Sequence, residues 1–293
     1  MSNETTILVT GASGQLGRLV IDALLKSTPA TRIHALVRNA KAAASLAPLG
    51  VKTRIGDYAD PRTLDAAFAG IDRLLLISSN DLGARTAQHA NVIDAAKRAG
   101  VRLLAYTSLL HADTSPLGLA REHVQTETLL QASGLPFALL RNGWYTENYA
   151  ATIAAAVERG VLAGSAGDGR ISSAARADYA QAAAAVLSAP DEQAGRIYEL
   201  AGDDSYTLAQ FAAEVSAQAK KPVEYRNLTE AEYKAALIGA GLPEPVAALI
   251  SDSDSGASQG GLFDDSGTLR KLIGHPTTPF ASTIAATLAT FKH

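Results

Sequence analysis

From residue 5 to about residue 141 the sequence alternates short apolar runs with longer stretches of helical period, and this alternation constrains the fold more than any other feature. Strands are expected at Thr5–Thr10, Arg32–Val37, Val51–Ile55, Arg73–Ile77, Arg102–Thr107 and Phe137–Leu140. Each is apolar nearly throughout, as strands covered on both faces should be. Helices are expected to begin near Gly14, Lys41, Pro61, Arg85 and Gly118, with Gly100 and Gly134 just past the ends of two of them. The fold class that follows is α/β, a doubly wound parallel sheet of the Rossmann type.

After Tyr149 the pattern changes. Ala-rich helices, a Gly-rich turn at Gly164–Gly169, strand-like pieces at Arg196–Leu200 and Val223–Asn227, and helical segments around Leu208–Ala219 and Glu230–Ala240 alternate less regularly. The sequence is therefore divided into a dinucleotide-binding domain at 1–149 and a smaller α/β substrate-side region at 150–293. Ser251–Gly261, rich in Ser, Asp and Gly, reads as a mobile loop.

With 47% hydrophobic and 19% charged residues, the 293-residue chain can bury a large core. A net charge of -3 and no long run of like charge give no footprint for nucleic acid or a membrane surface. There is no cysteine, so disulfides, thiolate metal sites and a cysteine nucleophile are excluded. The six histidines show no metal-ligand spacing. Asp252-x-Asp254-x-Gly256 lacks the acidic twelfth residue of a calcium loop, which is Phe263 here. No apolar stretch approaches the roughly 20 residues of a membrane span. The polar start, running straight into Ile7–Thr10, gives no sign of a secretory signal. A cytoplasmic protein acting on small molecules is the expectation; a homodimer is compatible with it.

Thr10-Gly11-Ala12-Ser13-Gly14-Gln15-Leu16-Gly17 follows the first strand and opens a helix. That placement supplies a tight turn, a close approach for a pyrophosphate and free N–H groups at a helix start. About 20 residues further on, where an NAD-binding chain places an acid against the ribose 2′-hydroxyl, stands Arg38. A guanidinium there favours a 2′-phosphate, hence NADPH; the alternative is a solvated strand-end arginine. Asp57, after the third strand, is placed to accept from the adenine amino group, and Asp60 before Pro61 to cap a helix. Ser78-Ser79-Asn80 follows the fourth strand at the edge of the sheet where ligands bind.

The usual Tyr-x-x-x-Lys pair of short-chain dehydrogenases is missing: none of the nine tyrosines has lysine four residues later. In Leu119–Glu127 the two positions hold Leu119 and His123. Alcohol–ketone chemistry is thereby disfavoured. A quinone is a different acceptor, because hydride addition leaves an aromatic hydroquinone anion far better stabilised than an alkoxide.

Thr10–Gly17, Tyr106–Ala120, Leu140-Arg141-Asn142-Gly143-Trp144-Tyr145, Gly260-Gly261-Leu262-Phe263-Asp264-Asp265 and Lys271–Pro276 together resemble the bacterial NAD(P)H:quinone oxidoreductases of the NmrA-like branch of atypical short-chain dehydrogenases. The triphenylmethane dye reductases are similar. The resemblance covers nearly the whole chain and implies NADPH-dependent quinone reduction. It implies that Gly11, Ala12, Ser13, Gly14, Gln15, Leu16, Arg38, Ser78, Ser79, Asn80 and the run Asn142, Gly143, Trp144, Tyr145, Thr146, Glu147 bind NADPH, with a quinone over the nicotinamide. Asn142 would meet the nicotinamide or a quinone oxygen, or else cap the turn before Gly143. Trp144, Tyr145 and Tyr149 form either an aromatic wall for a flat ring or part of the core. His111 and His123 are candidate proton donors, with a purely structural role as the alternative. Two other functions fit the missing pair: a redox sensor that binds the dinucleotide without turnover, and a triphenylmethane or azo dye reductase.

Overall fold

The computed structural model describes residues 5–292. Its main sheet has seven strands in the order β3-β2-β1-β4-β5-β6-β8, with β1 at Ile7–Val9, β2 at Ile33–Val37, β3 at Lys52–Ile55, β4 at Arg73–Leu76, β5 at Leu103–Leu109, β6 at Phe137–Asn142 and β8 at Ile197–Leu200. β1 pairs in parallel with both β2 and β4, Ile7 lying opposite Ile33 and Arg73. The strand order reverses at β1/β4, the switch point where doubly wound sheets open a ligand crevice. Helices Gln15–Leu24, Ala40–Leu46, Pro61–Phe68, Arg85–Arg98 and Ala120–Ser133 begin within two residues of the expected positions. The doubly wound α/β fold read from the alternation is the fold observed.

Chain compactness gives two interleaved units: 1–109, 122–141 and 177–198 form the first, and 110–121, 142–176 and 199–293 the second. The chain re-enters the first unit at Ala177 and leaves it after Tyr198, within β8. The core of the first unit gathers Leu8, Leu36, Phe68, Leu74, Leu104, Tyr106 and Leu139. Strand β3 differs from its expectation of burial on both faces: as an edge strand it leaves Ile55 51% exposed. No described helix is long and apolar enough to cross a membrane.

Within the first unit, Glu127 and Arg141 form a buried bidentate ion pair, Nε to Oε1 at 3.0 Å and Nη2 to Oε2 at 2.7 Å. Ser108 donates a further hydrogen bond of 2.5 Å to Glu127 Oε1. The pair joins the helix Ala120–Ser133 to the sheet through directed contacts, which apolar packing alone does not supply.

In the second unit β7, Val161–Gly164, pairs in parallel with β9, Glu224–Asn227. The helices Leu208–Ala219 and Glu230–Gly239 each open with a capping box, Thr207 with Gln210 and Thr229 with Glu232. The reading of Ser251–Gly261 as a mobile loop is overturned. Residues Glu244–Ser258 form one helix, with Ser251, Ser253, Asp254, Gly256 and Ala257 buried. Ser253 Oγ returns its proton to the carbonyl of Leu249 at 2.7 Å, which satisfies a buried hydroxyl inside the helix. The small residues here serve close packing: a Cβ on Gly256 would lie 2.6 Å from Leu117 Cδ1.

Asp254 on that helix accepts from Tyr149 Oη at 2.9 Å and from Ser165 N at 3.1 Å. Burial nevertheless raises its carboxyl to about 6. Between the ordinary carboxylate value and about 6, the native protein holds this proton and the unfolded chain has lost it.

Two outcomes follow from these buried charges. Stability measured by denaturant titration should fall by up to about 3 kcal/mol as pH rises from about 4 to about 6 through the Asp254 contribution, and Asp254→Asn should remove that slope. Glu127→Gln should cost about 3–5 kcal/mol, and combining it with Arg141→Met should recover much of the loss, since the guanidinium would no longer be buried opposite a neutral amide.

Candidate active site

In the first unit the site begins at Thr10, fully buried at the end of β1. Its N–H and its hydroxyl both donate to Leu75 O, at 3.1 and 2.8 Å, and its Oγ1 accepts from Ile77 N at 3.0 Å. Tyr58 Oη donates to the same Thr10 oxygen and lies 3.1 Å from Ile77 O. Burial raises the Tyr58 phenol, so it stays protonated and remains a donor. Three strand ends are thus joined at the switch point.

The loop that follows turns sharply: Gly11 has φ +57°, and Gly14 N donates to Gly11 O at 2.9 Å. A Cβ at Gly17 would strike the Gly11 carbonyl and lie 2.7 Å from Ala12 Cα, so only glycine fits there. The helix Gln15–Leu24 starts from Gly14 with no side-chain cap and no acid in its first turn. Its first amides are available to an anion, and the helix dipole favours one. Gly11, Ser13, Gly14 and Gln15 are exposed, whereas the side chains of Ala12 and Leu16 are buried in the core.

Arg38 is the first exposed residue after the five buried residues of β2. Its guanidinium enters no hydrogen bond or ion pair among the described residues. Asn39 beside it caps the helix Ala40–Leu46 by accepting from Ala42 N at 2.9 Å. Asp57 closes its own turn, Oδ1 accepting from Ala59 N at 2.9 Å, and Asp60 caps the next helix as expected.

The Ser78–Asn80 segment is held by a polar network that the sequence did not reveal. Ser78 N donates to Thr107 Oγ1 and Ser79 N to His89 Nε2, both at 2.9 Å. Ser79 Oγ donates to Gln88 Oε1 at 2.5 Å, and Ser79 O accepts from Arg85 Nε at 2.7 Å. Ser79 therefore spends its hydrogen-bonding groups internally and fixes the loop. Because His89 Nε2 accepts, its proton sits on Nδ1 and goes to Thr126 Oγ1 at 2.9 Å. Burial, reinforced by Arg85, lowers His89 to about 3. A histidine within a polar helix gives no sequence signal of such a role.

His123 does not fit its expectation as a proton donor. It is 4% exposed, its Nδ1 lies 2.8 Å from Tyr106 Oη, and burial with Arg85 and His89 nearby lowers it to about 3. The ring is neutral at physiological pH and out of reach of solvent.

The second unit holds the remaining residues. Asn142 ends β6; its carbonyl accepts from Leu110 N at 2.9 Å, and the next amide, Gly143 N, donates to Leu200 O at 2.7 Å. The Asn142 side chain is 5% exposed and hydrogen-bonded to Tyr145, yet its Oδ1 is buried with no hydrogen-bond partner among the described residues. A buried carbonyl oxygen left so is costly unless a ligand supplies the donor. Trp144 and Tyr145 are half-buried, and the Arg176 guanidinium stacks 4.5 Å from the Tyr145 ring. Thr146 is fully buried, its hydroxyl 2.8 Å from Ser173 Oγ, and Glu147 accepts twice from Arg176 N at 2.9 and 3.1 Å. These two side chains are committed to the unit's own structure.

Tyr149 departs from the aromatic wall: it is 7% exposed, bound to Asp254, and packed 5.9 Å from Phe211 in a cluster with Tyr206 and Phe280. His111 is half-buried in a left-handed backbone conformation, φ +50°, with Glu199 and Asp264 on either side of its ring. Glu199 was legible as an acid inside an apolar strand, but nothing in the sequence paired it with His111.

In the first unit, the glycine turn, the uncapped helix start and the partner-free Arg38 fit a phosphorylated dinucleotide. Quinone oxidoreductase 2 of Escherichia coli is 57% identical over 279 residues, 95% of this chain and 97% of that protein. The crystal structure of the NADPH-dependent quinone oxidoreductase from Escherichia coli complexed with NADPH matches with a TM-score of 0.94 at 56% identity, covering 97% of this chain and all 100% of that one. Citrobacter sp. triphenylmethane reductase complexed with NADP(H) matches with a TM-score of 0.92 at 38% identity, over 96% of this chain and 100% of that one. The NmrA-like family matches residues 3–271, and the chain belongs to that family.

Proposed function

We propose that this protein is an NADPH-dependent quinone reductase working by hydride transfer without a Tyr/Lys pair. The observation that carries the reading is Arg38, an exposed cation without an internal partner at the end of β2, combined with the uncapped helix that starts at Gly14. The quinone oxidoreductase and triphenylmethane reductase relatives, whose structures hold NADPH or NADP(H), support it.

In this reading the first amides of the helix Gln15–Leu24 hold the pyrophosphate, and Arg38 grips the 2′-phosphate. Asp57 meets the adenine, while Ser78 and Asn80 border the nicotinamide ribose. Asn142 Oδ1 accepts from the nicotinamide carboxamide and so fixes which face of the ring is presented. Gly143, Trp144 and Tyr145 line the place of the flat acceptor, and the backbone at Thr146 and Glu147 shapes the turn beneath it. The cofactor supplies a hydride when bound. An aromatic hydroquinone anion needs no strong acid beside it, which is why Leu119 and His123 can stand where other family branches keep tyrosine and lysine. The enzyme would act in the cytoplasm on small quinones, with a homodimer as a compatible assembly.

Initial rates with NADPH and NADH, with and without a simple benzoquinone, test this reading. Wild type should oxidise NADPH in a quinone-dependent manner and prefer it to NADH. Arg38→Ala should lose about 1.5–3 kcal/mol of NADPH recognition, roughly 10- to 150-fold in KM, with NADH nearly unaffected. Equal binding of both oxidation states without turnover would replace the enzyme by a redox sensor. A triphenylmethane or azo dye reduced far faster than any quinone would move the substrate class to dyes.

A further inference from the structure

His111, Glu199 and Asp264 come together within the second unit from three separate segments. Leu110 N–H is bonded to Asn142 O and Gly143 N–H to Leu200 O, so the residues after β5, β6 and β8 run side by side. Glu199 Oε2 accepts from the His111 backbone N–H at 2.8 Å and faces its Nδ1 at 3.6 Å. Asp264 Oδ2 lies 3.3 Å from His111 Nε2. Asp264 is itself held, its backbone N–H donating to Ser172 Oγ at 3.2 Å. The Asp264 side chain is 11% exposed and that of Glu199 24%, so both carboxylates act on the ring through partly dehydrated surroundings.

Both ring nitrogens of His111 thus face a carboxylate, one on each side of the ring. The same Glu199 oxygen also holds the backbone in its left-handed conformation, which non-glycine residues keep only when their surroundings dictate it. A ring needed only for packing requires neither feature.

We propose that His111 delivers the proton that completes quinone reduction and that Glu199 and Asp264 are its positioning residues, orienting the ring. This rests on the quinone-reductase reading. The quinone gains a hydride, with both electrons of the C4–H bond broken in the reduced nicotinamide, and becomes a hydroquinone anion. The N–H bond of the His111 imidazolium breaks, an O–H bond forms on that anion, and the neutral ring regains a proton from water. The overall balance is NADPH, quinone and one proton giving NADP⁺ and hydroquinone. The charged groups facing the ring are Glu199, from β8, and Asp264, from the segment after the helix Glu244–Ser258.

The test is the pH profile of kcat with NADPH and benzoquinone for wild type, Asp264→Asn, Glu199→Gln and Asp264→Glu, with NADPH affinity measured separately by fluorescence titration. General acids contribute about 10²–10⁴-fold where the product is a strong base. With a stabilised hydroquinone anion, Asp264→Asn and Glu199→Gln should lower kcat about tenfold at pH 8 and move the high-pH limb of the profile to lower pH. NADPH affinity should stay within about twofold, and Asp264→Glu should restore part of the rate. His111→Ala should lose the limb, with partial rescue by added imidazole. Profiles that superimpose on wild type, or rate losses matched by equal losses of NADPH affinity, overturn the proposal while leaving quinone reduction intact. Absence of turnover by wild type overturns the quinone reading, and the donor role with it.

Discussion

The buried hydroxyl of Thr10 is the contact on which the candidate cofactor cradle depends. It donates to Leu75 O, accepts from Ile77 N, and receives the phenol of Tyr58, so the ends of β1 and β4 and the loop after β3 share one atom. The glycine turn starts at the next residue. Its start is therefore set by hydrogen bonds inside the sheet, and the turn is closed by Gly14 N donating to Gly11 O and anchored by Ala12 N donating to Leu36 O. The same logic recurs at Ser79, whose polar groups are tied to Arg85, Gln88 and His89 so that its neighbours are presented in fixed positions. Pre-organisation of this kind reduces the ordering that binding must otherwise supply.

Where related enzymes place a tyrosine and a lysine, this chain has a half-buried Leu119 and a buried His123. His123 is neutral and bonded to Tyr106, and His89 is neutral and bonded to Thr126. With burial lowering both rings, neither carries charge toward a ligand. In the second unit two carboxylates, Glu199 and Asp264, approach the His111 ring. An acceptor whose reduced form is a stabilised phenolate tolerates the loss of the Tyr/Lys pair better than a ketone would.

Much of the fold was legible because parallel strands buried on both faces must be apolar and their crossovers must be helical, so runs such as Ile33–Val37 and Leu103–Leu109 announce themselves. The dinucleotide loop was legible for a similar reason: Gly17 occupies a position that no larger residue can fill, and Gly11 takes a left-handed backbone angle that favours glycine. What failed to show was tertiary. Ser251–Gly261 has loop-like composition because Leu117 and Pro116 pack against Gly256 and Gly261, a requirement visible only once those segments meet. Tyr149 and Trp144 look alike in sequence, yet one is a core residue bound to Asp254 and the other is half-buried. His111 and His123 were equivalent candidates until burial and partners separated them. The His89 network and the Glu199–His111–Asp264 group join residues up to 153 positions apart, beyond the reach of any local pattern.

The central claim is that the cradle between Gly11 and Arg38 binds a reduced dinucleotide in order to give away its hydride. An anaerobic single-turnover experiment tests it most directly, mixing the protein with stoichiometric NADPH and excess benzoquinone and following the reduced-nicotinamide absorbance, with NADPH deuterated at the transferred position as the comparison. The account predicts one hydroquinone formed per NADPH, with the decay slowed severalfold by deuterium. Tight NADPH binding with no decay, or decay insensitive to the label and independent of quinone, would contradict it.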